Sequence, residues 1–257
     1  MDLVHNHHRS SHRTPRWEET VTSQVRRIAA SGQLVWWLNA VLAQVCSPDD
    51  AADKIHGTCH GLAEAPVAGP ALVGALRGRG VDRIMLAVVE AGDPLGLPGP
   101  APITKAAVAA GVAIVAGDGS ITMVPADGEP PLDWLALPSS QRIDPIAQLG
   151  SLGEAHSLMR EGMLQISASM TGLEPDEAAM VELSRYRDWR PPDPPPGLPP
   201  RAAQLAESAL RVWWLTGVAQ ELAQRRDTNP PQQIRELRPL ARRASAAAFS
   251  VPLLAPA

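Results

Sequence analysis

The sequence predicts an α+β fold: a small, mostly antiparallel sheet with short helices, followed by a C-terminal helical bundle, and helix-dominated overall. Three observations predict it. Runs rich in Val and Ile, the signature of strands, crowd into one middle stretch, where VDRIMLAVVE (81–90) and GVAIVAGDGSITMVP (111–125) stand out. On either side of that stretch the apolar residues recur instead at three and four, the helical period. Four of the seven Trp form adjacent pairs, LVWWLN (34–39) and RVWWLT (211–216), each inside such a helical segment.

Residues 21–46 read as the first helix, with Val21, Val25, Ile28, Val35, Leu38, Leu42 and Val45 at helical spacing. Gly32 is placed to kink it, and Ser47-Pro48 stops it because Pro cannot continue the hydrogen-bond ladder. A short helix is expected over 67–80, closed by Gly80, and then the strand at 81–90. The Gly/Pro loop AGDPLGLPGP (91–100) leads to a helix over 103–111. In the hairpin at 111–125, Gly117-Asp118-Gly119 supplies the turn, because Gly reaches positive φ without steric cost. LDWLALP (132–138) adds a fourth strand.

From about residue 148 the pattern is helical. Leu152, Ala155, Met159, Met163, Ile166 and Met170 mark one face, and Leu173-Glu174-Pro175-Asp176-Glu177 starts another helix, with acids beside its positive dipole end. RPPDPPPGLPPR (190–201) must be extended. A helix over 201–226 carries the second Trp pair. The last begins after Asn229-Pro230-Pro231, with Ile234, Leu237, Ala241, Ala244 and Ala248 inward and a kink at Pro239. The organisation is a disordered His/Arg-rich extension (1–20), a first helix with the α+β unit (21–140), and a helical region with a Pro-rich connection (141–257).

Composition excludes several classes. Net charge is −4, which gives no broad attraction to phosphates or to an anionic membrane. The longest apolar runs, 34–46 and 106–116, fall short of the ~20 residues of a membrane span. Two cysteines make no disulfide framework. The expectation is a cytoplasmic protein that binds neither nucleic acid nor membrane. Residues 1–20 hold His5, His7, His8 and His12. They read as an extension upstream of a start at Val21, with a metal-binding tract as the alternative.

Candidate chemistry is sparse. Cys46, His56, Cys59 and His60 are the densest metal-ligand set, and four N/S ligands suit zinc. The bland reading is a surface loop after the first helix, with Cys46 buried on that helix and no cofactor at all. The loop residues Gly92, Asp93, Gly96 and Gly99, with Thr104 and Lys105 beyond, are candidate ligand contacts at a helix N-terminus. The glycines lack the order of a nucleotide loop, and a rigid structural loop is the simpler reading. His156 near Glu154 is a conceivable acid–base pair. There is no Gly-x-Ser-x-Gly elbow and no His-Glu-x-x-His. Pro196-Gly197-Leu198-Pro199-Pro200-Arg201 fits a polyproline-recognition pattern, but a stiff packed linker is preferred. Arg235, Arg238, Arg242 and Arg243 read as a solvated helix face.

The strand followed by Gly92-Asp93-Pro94-Leu95-Gly96-Leu97-Pro98-Gly99-Pro100, then Gly111-Val112-Ala113, Met123-Val124-Pro125 and Trp134, and later Arg187-Asp188-Trp189-Arg190-Pro191, resembles a conserved family of high-GC actinobacteria. The resemblance spans roughly 80–250. It implies one bacterial architecture and transfers no catalytic residue, because the family has no assigned activity.

The helical wheel sharpens the Trp pairs. At 100° per residue Trp36 lies nearly opposite the Leu38 stripe, and Trp213 nearly opposite Leu215. Each needs a second partner, so Trp36 and Trp213 are the expected interaction surface. The resulting expectation is a non-catalytic structural or regulatory protein that self-associates through its Trp-bearing helices. The alternative is a ligand-binding or enzymatic domain using the 91–105 loop, with a metal at His56, Cys59 and His60.

Overall fold

The computed structural model describes residues 21–94, 97, 99–126, 130–139, 150–167, 177, 180, 181, 184 and 189–253. The extension at 1–20, Gly96 and most of the helix expected after Leu173 lie outside the described residues.

Helix α1 spans Val21–Leu42, four residues shorter than periodicity suggests. Gln44 takes a positive φ of 59°, and Val45 N–H turns back to the Ala40 carbonyl at 2.8 Å. Cys46 is thus past the helix, half-buried in the turn. Two short strands follow, β1 (Thr58–His60) and β2 (Val67–Ala68), where a loop and a helix start were expected. Helix α2 is Pro70–Gly78, strand β3 Ile84–Val88, helix α3 Ala101–Ala110, β4 Val112–Ala116, β5 Ile121–Pro125 and β6 Trp134–Pro138. Gly111 ends α3 in the left-handed conformation (φ 76°) that Gly favours.

The six strands form one sheet in the order β2-β1-β6-β5-β4-β3. The pairings are antiparallel except β1 with β6, which is parallel. Every residue of β3, β4 and β5 is buried. Ile84, Leu86, Val88, Val112 and Ile114 face the main core, while Ala87, Val89, Ala113 and Val115 pack with Ala107 of α3 in a second, smaller one. Cover on both faces explains why these strands read as continuous apolar runs rather than alternating ones.

The C-terminal helices are α4 (Leu152–Ser167), α5 (Pro200–Arg225) and α6 (Gln232–Phe249). Ser151 caps α4: its hydroxyl accepts the Glu154 N–H at 3.1 Å, and Glu154 accepts the Ser151 N–H at 2.8 Å. That reciprocal pair lowers the Glu154 pKa and engages its carboxylate away from His156. Before α5, Pro192 and Pro195 are buried and Leu198 half-buried, the three-residue period of a polyproline helix laid on the core. Helix α6 runs through Pro239 and packs on α5, α4 and β3. One buried cluster joins α1, the sheet, α5 and α6.

The fold covers its own tryptophans. Trp36 is 1% exposed, packs against Phe249 of α6 with ring centroids 4.6 Å apart and the rings tilted by 48°, and donates its indole N–H to the Ala248 carbonyl at 3.0 Å. Gly32 makes room for this contact: a Cβ there would sit 2.4 Å from the Phe249 ring. Its role is close packing. Trp37 donates to the Asp193 carbonyl of the Pro run at 3.0 Å, and Trp214 to the Thr22 hydroxyl at 3.4 Å. Trp213 is 3% exposed, under the Arg238 guanidinium at 3.8 Å. The expected interaction surface of Trp36 and Trp213 is therefore interior to this chain. Trp36, off the Leu38 stripe, is covered by Phe249 of α6. On α5 the expected core side was the wrong one, because Leu215 is 42% exposed and Trp213 lies on the buried side, under Arg238 of α6.

Strand β3 lies at a sheet edge, where bare N–H and C=O groups invite foreign strands. Side chains close it. Asn39, buried on α1, donates to the Ile84 carbonyl at 2.8 Å and accepts the Ile84 N–H at 2.9 Å. The Ser250 hydroxyl just past α6 accepts the Leu86 N–H at 2.9 Å.

Candidate ligand-binding site

At the end of β3 the chain makes a tight turn. Glu90 and Asp93 face each other across it, with the Asp93 N–H bonded to the Glu90 carbonyl at 3.1 Å and Gly92 at φ 90°. The turn places two carboxylates beside α6, where Arg238 and Arg242, four apart, share one face. Arg238 Nε donates to Glu90 at 2.9 Å. Arg242 donates to the Asp93 carbonyl at 2.9 Å and to its carboxylate, and lies 3.9 Å from the second Glu90 oxygen. Arg242 is 1% exposed, so this part of α6 is a buried ionic clamp and not the solvated face expected from the sequence. Of the four arginines only Arg235 and Arg243 are exposed.

A pocket of about 220 Å³ opens against this clamp. Gln24 and Ile28 of α1 form one wall, residues 89–91 another, and 108–111 at the end of α3 a third; Trp213 and Arg238 complete it. Arg27 Nη1 donates to the Ala110 carbonyl at 3.2 Å at its margin. Two buried donors in the lining have no acceptor: Trp213 Nε1 and Arg238 Nη1. A buried N–H without a partner costs about 1–3 kcal/mol, so such a pair is normally satisfied by ordered water or a ligand oxygen. Gly217, one turn beyond Trp213, lets Arg238 lie here, since a Cβ would come within 3.3 Å of Nη1 and 2.6 Å of Val21.

The expected ligand residues divide. Gly92 and Asp93 are in the turn that builds the pocket, Asp93 as the anchor of Arg242. Gly99 precedes α3 and Thr104 and Lys105 lie in its first half, and none of the three lines the pocket. The helix end at the pocket is the C-terminal one. Glu90, Trp213 and Arg238 were missed as ligand contacts. The signal for them was an Arg pair spaced by four and an acid pair flanking Ala91-Gly92.

The four candidate metal ligands are not brought together. Strand alternation turns Cys59 inward and leaves His60 exposed. Cys59 is fully buried with its sulfur 3.7 Å from that of Met123, and burial raises its thiol pKa to about 11. Cys46 lies in the turn after α1, its pKa raised by burial and by Asp50. His56 lines a different pocket, described below. Among the described residues no three His, Cys, Asp or Glu side chains converge as a metal site.

Two family profiles match the chain: "Rv1486c-like protein, N-terminal domain" over residues 31–147 and "Rv1486c-like protein, C-terminal domain" over residues 153–249. The chain belongs to the Rv1486c-like family. The match reaches further toward the N-terminus than the resemblance read from 80 onward, and takes in the first Trp pair. No curated protein and no solved structure matches the chain. Membership of the family carries no activity with it. Among the described residues no helix is long and apolar enough to cross a membrane.

Proposed function

We propose that this chain is a non-catalytic regulatory protein that binds a small polar molecule at the end of β3. The observation that carries the reading is the pair of buried, unpartnered donors, Trp213 Nε1 and Arg238 Nη1, in the lining of one pocket. A carboxylate or carboxamide oxygen is the acceptor they call for. Gln24 and the last carbonyls of α3 offer contacts to a ligand N–H. The ionic side chains present are already paired, Glu90 with Arg238 and Arg242, which suits holding a ligand rather than transferring a group. Two free thiols, Cys46 and Cys59, favour a reducing compartment such as the cytoplasm.

The test is the indole N–H resonance of Trp213, assigned with Trp213→Phe. Titration with acetate and with acetamide is expected to move that resonance saturably and to leave the Trp36 resonance in place. A Trp213 signal that stays fixed, or moves no more than the other indoles, refutes the reading.

A second reading, self-association, moves from the tryptophans to the outer faces of α4 and α5. Leu158, Met163, Leu164 and Leu215 are each more than 40% exposed. Met159, Met163, Leu164 and Leu205 border a cleft of about 370 Å³. Exposed apolar side chains grouped in this way mark interaction surfaces more often than free ones. Light scattering is expected to give a dimer or larger species that Leu164→Glu dissociates. A wild-type monomer refutes it.

A further inference from the structure

A larger pocket, of about 400 Å³, lies on the other side of α1, where β1 meets β6. Its walls are mostly apolar: Ala30 and Leu34 from α1, and Pro130, Pro131 and Leu132 leading into β6. Four polar side chains complete the lining, Gln33, Lys54, His56 and Trp134. Trp134 is 2% exposed, and its indole N–H is buried without an acceptor. Gly57 holds the wall in place. At φ 86° its Cα rests against the Leu132 carbonyl, where a Cβ would sit at 1.8 Å, and 3.5 Å from Trp134 Nε1. The neighbouring His56, exposed, lines the pocket. Lys54 is tied by an ion pair of 2.7 Å to Asp193 of the Pro run. The lining is therefore held by α1, β6 and the polyproline segment together.

We infer that this pocket binds an amphipathic carboxylate. Its apolar body lies against Leu34, Pro131 and Leu132, and its carboxylate accepts from Trp134 Nε1 with Lys54 and His56 as neighbouring donors. The chemistry follows from the lining. Apolar walls with a few convergent polar groups are the usual make-up of a small-molecule site, and the volume falls in the range of such sites. The polar groups are biased: Trp can only donate, Lys carries three donors, and among the described residues no carboxylate lines the pocket. An unpaired indole N–H here is also the larger asymmetry, because filling it satisfies a group that folding left unpaired. This site shares no lining residue with the pocket at the end of β3.

The probe is 4-phenylbutyrate, with 4-phenylbutanol as its uncharged counterpart, titrated into the full chain by calorimetry. Saturable binding of the acid at millimolar concentrations or below is expected, with the alcohol weaker. Trp134→Phe keeps an aromatic ring, smaller than the indole, and removes the donor, and is expected to weaken binding about tenfold. Lys54→Gln weakens it as well, while Trp213→Phe leaves it unchanged. Thermal melts confirm that each variant is folded. Where Trp134→Phe does not fold, the Trp134 indole resonance of the wild type replaces it, expected to shift with the acid. No saturable binding overturns the assignment. So does binding that is indifferent to the missing donor and to Lys54, or a Trp134 resonance that the acid leaves in place.

Discussion

Removing Asp93 should harm the fold more than removing the arginine it holds. Arg242 is buried, whereas the Asp93 side chain is 43% exposed. Asp93→Ala leaves a guanidinium in the interior with its closest remaining carboxylate, Glu90, at 3.9 Å. Stripping one partner from a buried pair costs roughly 3–5 kcal/mol, and the Glu90 contact holds the figure to about 3. Arg242→Met removes the buried charge together with its hydrogen bonds, and Asp93 rehydrates at the surface. The net loss there is about 1 kcal/mol, because a shape-similar apolar side chain avoids the desolvation cost. The difference, about 2 kcal/mol, corresponds to roughly 4–8 °C in melting temperature for a chain of this size. The double variant should sit beside Arg242→Met, since the harm of Asp93→Ala lies in the charge it strands. Urea denaturation of the four proteins measures all of this. Equal losses for the two single variants, or a double variant that sums them, would refute the view of Arg242 as the buried charge and Asp93 as its solvated anchor.

Other expectations follow from single contacts. Gly32→Ala drives a methyl into the Phe249 ring and should cost about 1–3 kcal/mol in urea melts, with Phe249→Leu recovering part of it. Asn39→Leu leaves the Ile84 N–H and C=O unpaired, for a loss of about 2–4 kcal/mol and faster amide exchange at Ile84. A thiol reagent should modify Cys46 in the native protein and reach Cys59 only on unfolding. Cys59 also makes stability depend on alkaline pH. Its thiol loses a proton near 9.0 when unfolded but only near about 11 when folded, so the unfolded state binds fewer protons between those values. Stability should be unaffected by this group below pH 9.0 and fall as pH rises to about 11, and Cys59→Ala should abolish that fall.

What was legible in the sequence is what neighbouring residues decide. β3, β4 and β5 announce themselves because cover on both faces forces unbroken Val and Ile runs, and Gly117-Asp118-Gly119 marks their hairpin. The inward residues of α6, from Ile234 to Ala248, follow from the helical period alone and are all buried. β1 and β2 escaped because two or three residues carry no period. Their existence depends on Cys59 pairing with Trp134, far along the chain. The same non-locality hid both pockets. Arg242 looks like any exposed helix arginine until Asp93, 149 residues away, is placed beside it. Trp36 was singled out as needing a partner, yet nothing nearby names Phe249; on α5 the period alone took exposed Leu215 for the core side, when Trp213 is the buried residue.

The closure of β3 by Asn39 and Ser250 bears on how the chain emerges during synthesis. Half of the seal is 45 residues upstream of the strand and available early; the other half is 164 residues downstream of Leu86. Until the ribosome releases the end of α6, the Leu86 N–H has no Ser250 to bond. A nascent chain carries the completed hairpin with that part of its border open, the condition in which strands pair with the wrong neighbour. The last helix therefore acts as a closing latch as well as a core element. A premature stop shortly before residue 250 would release a sheet still able to recruit another.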